Sequence, residues 1–357
     1  MTSDKRSEEG SERTESDDLT EGPSPRPAVQ GSDAEPEEAV EAPMPEDGIL
    51  EQVVPPVSKT PLFQALNAAR YQRQALVRDI EGMTGRKLIC YVGGMDAPVD
   101  RDDVVCFVDL LHNLVPDQGI DLLLHTVGGD IDAAEKIMEM VRKKAAAAMV
   151  RVIVPDFAKS AGTLMALASD RIVMSNTSEL GPIDPQILRS DQNGNRMWHS
   201  VRHYLDAYDE HKKALEKKPD DLPAQIMMSK LDPETVQLFR SIMHRARRVA
   251  EKQLVQGMMK EGGNWSQAVS ALLGDTLFQT HGQPISWEDA SDPRIGLTVE
   301  YLDPKDEFWQ MIWQLYCVQK LAIKDNQKLF ESQVVDFPRF VGQESACEIS
   351  VVVGRGC

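Results

Sequence analysis

Val152-Ile153-Val154-Pro155-Asp156-Phe157-Ala158-Lys159-Ser160-Ala161-Gly162-Thr163 runs from an apolar strand through a loop of small residues into the opening of a helix. The same grammar occurs upstream in Leu122-Leu123-Leu124-His125-Thr126-Val127-Gly128-Gly129-Asp130. In a parallel sheet both loops emerge at the carboxyl edge, where ligands bind. A serine at a helix start faces backbone N–H groups that have no intrahelical acceptor, and those are the donors an oxyanion needs. Gly128 and Gly129 lack Cβ, so a second backbone segment can come close. The plainer reading of Ser160 is a simple N-cap.

Working outward, residues 62–82 carry apolar positions at helical spacing, and Lys87 to Val92 reads as a strand stopped by Gly93-Gly94. Asp100, Asp102 and Asp103 supply cap chemistry for a helix over Val104 to Leu114. Ile120 to Thr126, Met149 to Val154 and Arg171 to Met174 are further strands, separated by helices at Ile131 to Lys144 and Ser160 to Ala168. Strands alternating with helices specify an α/β core with a largely parallel sheet. Beyond Asp184 the pattern predicts mainly helix, over 196–217 and 232–261, with a breaker at 218–223. A turn and helix start follow at Pro284 to Ala290, and a last strand at Leu297 to Leu302. A closing amphipathic helix is expected over 305–331. Its stripe of Trp309, Trp313 and Tyr316 reads as core or subunit interface. The expected organisation is a disordered segment at 1–56, a catalytic domain at 57–304, the closing helix at 305–331, and a tail at 332–357 with no assigned structure.

Charge is unevenly placed. The chain carries a net −18, and residues 1–56 hold 16 acidic and 4 basic residues, 8 of the 21 prolines and no aromatic residue. Such a segment cannot bury enough apolar surface to offset its ordering entropy. The acidic balance excludes nucleic-acid binding, which needs a basic patch. No apolar run is long enough for a membrane span, and the acidic start is not a leader peptide. The cysteines Cys90, Cys106, Cys317, Cys347 and Cys357 are odd in number and widely spaced. That suits neither a disulfide framework nor a zinc site, and it fits a cytoplasmic setting. No phosphate loop, dinucleotide fingerprint or metal spacing appears, so no cofactor is expected. His125 lies within a strand and reads as a core histidine with a satisfied hydrogen bond.

Taken in order, Gly128-Gly129-Asp130, the segment Ala158 to Thr163, and Ser178-Glu179-Leu180-Gly181-Pro182-Ile183-Asp184-Pro185-Gln186 resemble the serine dehydrogenase proteinase family. That family is related to the Clp protease proteolytic subunit and signal peptide peptidase A, within the Clp/crotonase superfamily. Thr280-His281-Gly282-Gln283-Pro284-Ile285, Glu288-Asp289-Ala290 and Gly296-Leu297 add to the resemblance, which spans roughly residues 62–303. It implies a Clp/crotonase-like spiral ββα core with additional C-terminal helices. It implies Ser160 as nucleophile, an oxyanion hole from the N–H groups of Gly128 and Ala161 with Gly129 shaping the loop, a polypeptide substrate and a homo-oligomer. An unfoldase or adaptor would be a separate chain.

A serine hydroxyl needs a neighbour to take its proton. Where the Clp subunit carries its histidine, this chain has Asp184; near the place of the Clp acid it has His281. A swapped pair is one arrangement, with His281 as base and Asp184 orienting it. In signal peptide peptidase relatives a downstream lysine does this work, and that window here holds His199, His203, His211, Lys212 and Lys213. Lys159 adjoins the serine. Three functions follow: a serine peptidase working through an acyl-enzyme on Ser160, a crotonase-type acyl-CoA enzyme using the same loops without the serine, and a catalytically inactive oligomeric scaffold.

Overall fold

The computed structural model describes residues 60–341 apart from 191–195, 275–276 and 279. The expectations for 1–56 and for the strand-like segment 347–353 lie outside those residues. In chain order the elements are α1 (Pro61–Leu66), α2 (Ala68–Thr84), β1 (Lys87–Gly93), α3 (Asp103–His112), β2 (Ile120–His125), α4 (Ile131–Ala145), β3 (Val150–Ile153), β4 (Phe157–Ala158), α5 (Ala161–Leu167), β5 (Arg171–Met174) and β6 (Glu179–Leu180). There follow β7 (Gln186–Ser190), β8 (Arg196–Ser200), α6 (Val201–Lys217), α7 (Leu222–Ser229), α8 (Pro233–Gln256), α9 (Trp265–Leu272), α10 (Trp287–Ser291), β9 (Val299–Tyr301), α11 (Glu307–Leu321), β10 (Gln327–Glu331) and β11 (Asp336–Phe340).

Seven strands form one sheet in the order β11-β10-β1-β2-β3-β5-β9. The ladders joining β1, β2, β3, β5 and β9 are parallel, while β10 runs antiparallel to β1 and β11 antiparallel to β10. The α/β class with a mostly parallel sheet therefore holds. The sheet is covered on both faces, which explains why its strands read as continuous apolar runs. Alternate residues serve alternate cores. Ile89, Tyr91, Leu122, Leu124, Val152 and Ile172 pack with α3, α4, α5 and α8 on one face. Leu88, Cys90, Val92, Leu123, Ile153 and Val173 pack with α2 and α11 on the other. The period of two follows from the strand pleat. Trp309 and Tyr316 of α11 belong to this second core.

Two expectations need correction. The helix expected over 196–217 begins only at Val201, because Arg196–Ser200 pairs with Gln186–Ser190 as an antiparallel hairpin. Ser200 then caps α6 by accepting from His203 N. The closing helix expected over 305–331 ends at Leu321, and 327–331 is strand β10, followed by β11 from what was read as tail. Lys328 and Glu331 look like solvent-facing residues in the sequence, yet both are fully buried. Lys328 Nζ lies 2.9 Å from Asp100 Oδ2 and 2.8 Å from Asp103 Oδ2. Glu331 accepts from Arg73 Nε at 2.9 Å. Ion pairs formed with residues more than two hundred positions away make these charges compatible with a central strand.

Candidate active site

β2 leads into the 126–130 loop, and β3 leads through β4 into Ser160. A short parallel bridge zips the two loops together: Thr126 N donates to Phe157 O at 3.1 Å, and Lys159 N donates to Thr126 O at 3.0 Å. Beyond the bridge the loops touch. A Cβ placed on Gly128 would stand 2.7 Å from Ser160 Cβ and 2.7 Å from Lys159 O, closer than real atoms come. Gly128 sits at φ 100°, which L side chains rarely adopt, so glycine is required there on both counts.

Ser160 has φ 51° and ψ −113°, and its side chain makes no capping hydrogen bond to α5. Left-handed backbone in a non-glycine residue is costly and concentrates at functional sites. The simple N-cap reading does not fit this geometry, because a cap has extended backbone and a side chain turned to the helix. Ala161, the first residue of α5, has no intrahelical acceptor for its N–H. In the facing loop, Val99 N donates to Gly128 O and Asp130 N donates to Val99 O, so these bonds pass over the Gly129 N–H. The Gly128 N–H, expected to face the oxyanion, donates instead to Thr126 Oγ1 at 3.1 Å.

A second set of contacts joins this loop pair to the 180s turn. Thr163 Oγ1 accepts from Gly181 N at 3.1 Å and lies 2.8 Å from both Ala158 O and Gly181 O. Leu180 and Ile285 exchange backbone bonds of 2.9 and 3.0 Å. That antiparallel bridge brings the 280s loop beside the 180s turn, and there Asp184 Oδ1 meets His281 Nδ1 at 2.8 Å. Asp184 is only 4% exposed, and its other oxygen takes a long bond of 3.4 Å from Ser200 Oγ. With Nδ1–H turned to a carboxylate, the imidazole carries its lone pair on Nε2, which is the tautomer a general base needs.

The other candidate bases are placed differently. Lys159 Nζ forms an ion pair with Glu179 and donates to Leu180 O at 3.1 Å, so its stem clamps the Gly181 turn. His199 is exposed on β8 opposite Ile187. His203 is exposed and lies 3.1 Å from Arg202 Nη2. Lys212 pairs with Glu216 one turn on, and Lys213 is exposed on the same helix. Among the described residues no group of three or more His, Cys, Asp or Glu is placed to hold a metal ion. Sequence reasoning missed Thr126, Thr163 and Ser200, whose hydroxyls tie the loops together; nothing in their local pattern separates them from ordinary threonines and serines.

His125 is fully buried beside Tyr316 and Lys320 of α11, with its ring centroid 4.1 Å from that of Phe157. Burial, helped by the Lys320 charge, pushes its pKa down to about 3. The ring is therefore neutral at ordinary pH.

Residues 100–196 match the family described as ClpP-like SDH-type serine proteinase. An uncharacterized protein of Methanocaldococcus jannaschii is 32% identical over 197 residues, covering 55% of this chain and 58% of that protein. A second uncharacterized protein of the same organism is 33% identical over 129 residues, covering 32% of this chain and 42% of its own length. The chain thus spans about half the length of these curated relatives. Among solved structures, similarity is found to a membrane-bound stomatin-specific protease in complex with a substrate peptide, at 15% identity and TM-score 0.34, covering 65% of this chain and 99% of that one. The ClpP1 protein of Listeria monocytogenes is similar at 12% identity and TM-score 0.35, covering 67% of this chain and 99% of that one.

Proposed function

We propose that this chain is a serine endopeptidase with Ser160, His281 and Asp184 as its catalytic triad, a reading supported by the match of residues 100–196 to the family described as ClpP-like SDH-type serine proteinase. The observation that carries the assignment is the 2.8 Å contact between Asp184 and His281, 97 positions apart, in a turn hydrogen-bonded to the helix that Ser160 opens. A buried carboxylate on Nδ1 has one evident use, which is to aim Nε2 and stabilise the ring once it is protonated.

His281 Nε2 takes the Ser160 hydroxyl proton as Oγ attacks the scissile carbonyl carbon. The Ser160 Oγ–Nε2 bond forms as the substrate is bound, since such contacts are often loose before that. The carbonyl oxygen becomes an oxyanion between the Ala161 N–H and the N–H groups of the Gly128-Gly129 loop. Gly129 N–H is the donor ready for this role, and Gly128 N–H joins it on leaving Thr126 Oγ1. Collapse breaks the C–N bond, the amine leaves with the proton from His281, and water then hydrolyses the acyl-enzyme by the reverse roles. Lys159, His199, His203, Lys212 and Lys213 have no part in these steps. The same reading extends to a cytoplasmic homo-oligomer acting on polypeptides, supplied by a separate unfoldase or adaptor. Among the described residues no helix is long and apolar enough to cross a membrane.

The test is labelling with an alkyl fluorophosphonate followed by peptide mapping. The full chain should be modified at Ser160, and Ser160→Ala should abolish both labelling and peptide hydrolysis while the protein stays folded. An unlabelled but folded protein sinks the peptidase reading and leaves the acyl-CoA enzyme or the inactive scaffold.

A further inference from the structure

A polar chain crosses the second core where nothing in the proposed chemistry requires one. Lys320 Nζ lies 3.3 Å from His125 Nε2, Tyr316 Oη lies 3.4 Å from His125 Nδ1, and Tyr316 Oη lies 2.7 Å from Asp156 Oδ2. The directions of these bonds are dictated by the groups. An ammonium has no lone pair, so Lys320 donates and Nε2 accepts. A neutral ring that accepts at Nε2 bears its proton on Nδ1 and donates it to Tyr316 Oη. A carboxylate only accepts, so the Tyr316 O–H goes to Asp156. The three contacts thus have one consistent set of directions, from Lys320 to His125 to Tyr316 to Asp156.

Two of its members, His125 and Asp156, stand at the roots of the two site loops. His125 is the last residue of β2, and Thr126 follows it directly into the bridge with Ala158. Asp156 immediately precedes Phe157, whose carbonyl accepts from Thr126 N. Tyr316 and Lys320 stand one turn apart on α11, which belongs to the face opposite α5. An apolar side chain at 316 would fill the same volume without desolvating a hydroxyl, so packing alone does not account for the chain. A hydrogen-bonded network whose middle members, His125 and Tyr316, are buried restricts geometry, and here it restrains the distance between two loops.

We infer that Tyr316 and Lys320 are positioning residues of the active site, locking His125 and Asp156 so that the Gly128-Gly129 loop stands at the correct spacing from Ser160. This rests on the peptidase reading. Neither residue touches the reacting atoms.

The experiment uses the full chain and its Tyr316→Phe, Lys320→Met and Lys320→Gln variants. Fold is checked by circular dichroism, and the readouts are the rate of fluorophosphonate labelling at Ser160 and the kcat and KM for a fluorogenic peptide. Displacing a site loop by a fraction of an ångström to one ångström costs about 10- to 100-fold in rate. Tyr316→Phe and Lys320→Met should each slow labelling and kcat by about that factor with KM unchanged. Lys320→Gln, which still donates to Nε2, should recover most of the loss. If the parent protein is folded but not labelled, the peptidase reading fails and takes this inference with it. If the parent is labelled and folded Tyr316→Phe is labelled equally fast, the positioning role alone is overturned. Should Tyr316→Phe fail to fold, the lysine pair decides: equal rates for the Gln and Met variants refute the role.

Discussion

Replacing Asp184 by Asn removes one negative charge and leaves the shape of the site almost intact. Asp184 Oδ1 is 2.8 Å from His281 Nδ1, and Oδ2 receives the weak bond from Ser200 Oγ at 3.4 Å. Asn keeps an oxygen that can accept Nδ1–H, so the imidazole stays in place. In the proposed triad, what disappears is the charge that would favour an imidazolium when Ser160 gives up its proton. Asp184 is buried and His281 is partly open to solvent. An effective dielectric of about 20 suits such a pair, and charges about 4 Å apart then interact by roughly 4 kcal/mol. Lost from the transition state, that energy is about 10³-fold in rate. We expect kcat for a fluorogenic peptide to fall by about that factor while KM and the melting temperature change little. Adding His281→Ala to Asp184→Asn should cost little beyond the worse single change, because the two residues act as a unit. A variant that keeps its rate within about threefold would refute the argument and reduce Asp184 to a turn residue, since the Coulomb estimate leaves no room for so small an effect.

Gly128→Ala places a Cβ 2.7 Å from Lys159 O at a φ of 100°, so the two loops must part. We expect about 1–3 kcal/mol of lost stability and a larger relative loss of Ser160 labelling, measured by urea titration and probe kinetics. Wild-type values for both would show that the loops do not pack as described. The His125 imidazole, held down to about 3 by burial and then by Lys320, has a folded value below the unfolded one of about 6.5. The unfolded chain therefore binds the proton first as the pH falls. The associated stability is present above about pH 6.5 and is lost below it at roughly 1.4 kcal/mol per pH unit, until the folded value is reached. Between about pH 6.5 and 4.5, His125→Gln should lose less stability than the parent, by up to about 2.7 kcal/mol, and equal losses would refute a buried neutral ring. Lys328→Met leaves Arg339 as the cation paired with both Asp100 and Asp103, with Tyr91 Oη still donating to Asp103. Breaking a buried pair costs about 3–5 kcal/mol, so a loss near the lower figure should appear in chemical denaturation; a loss below about 1 kcal/mol would mean that β10 is not held by this cluster.

The strand-like runs at 88–92, 120–124, 150–154 and 172–174, alternating with helical patterns, pointed by themselves to a largely parallel sheet; the structure shows that the sheet is buried on both faces. A parallel strand touches a core on each side, so its sequence shows the burial locally. The glycines at 128 and 129 and the small residues around Ser160 likewise announced a close approach of two loops, because only small residues permit one. Pairing His281 with Asp184 was legible as one arrangement among several; the contact itself depended on the Leu180–Ile285 bridge, which joins segments about a hundred positions apart. Whether Lys159 faced the serine or the 180s turn was open in the sequence; in the fold its ammonium contacts Glu179 and Leu180 O. Strand β10 was hidden for a different reason. Lys328 and Glu331 carry charges that mark a surface in any local reading, and only Asp100, Asp103 and Arg73, brought in from the far end of the chain, make them residents of a core. A sequence records each residue's own preference for water. The partner that cancels that preference is supplied by tertiary structure.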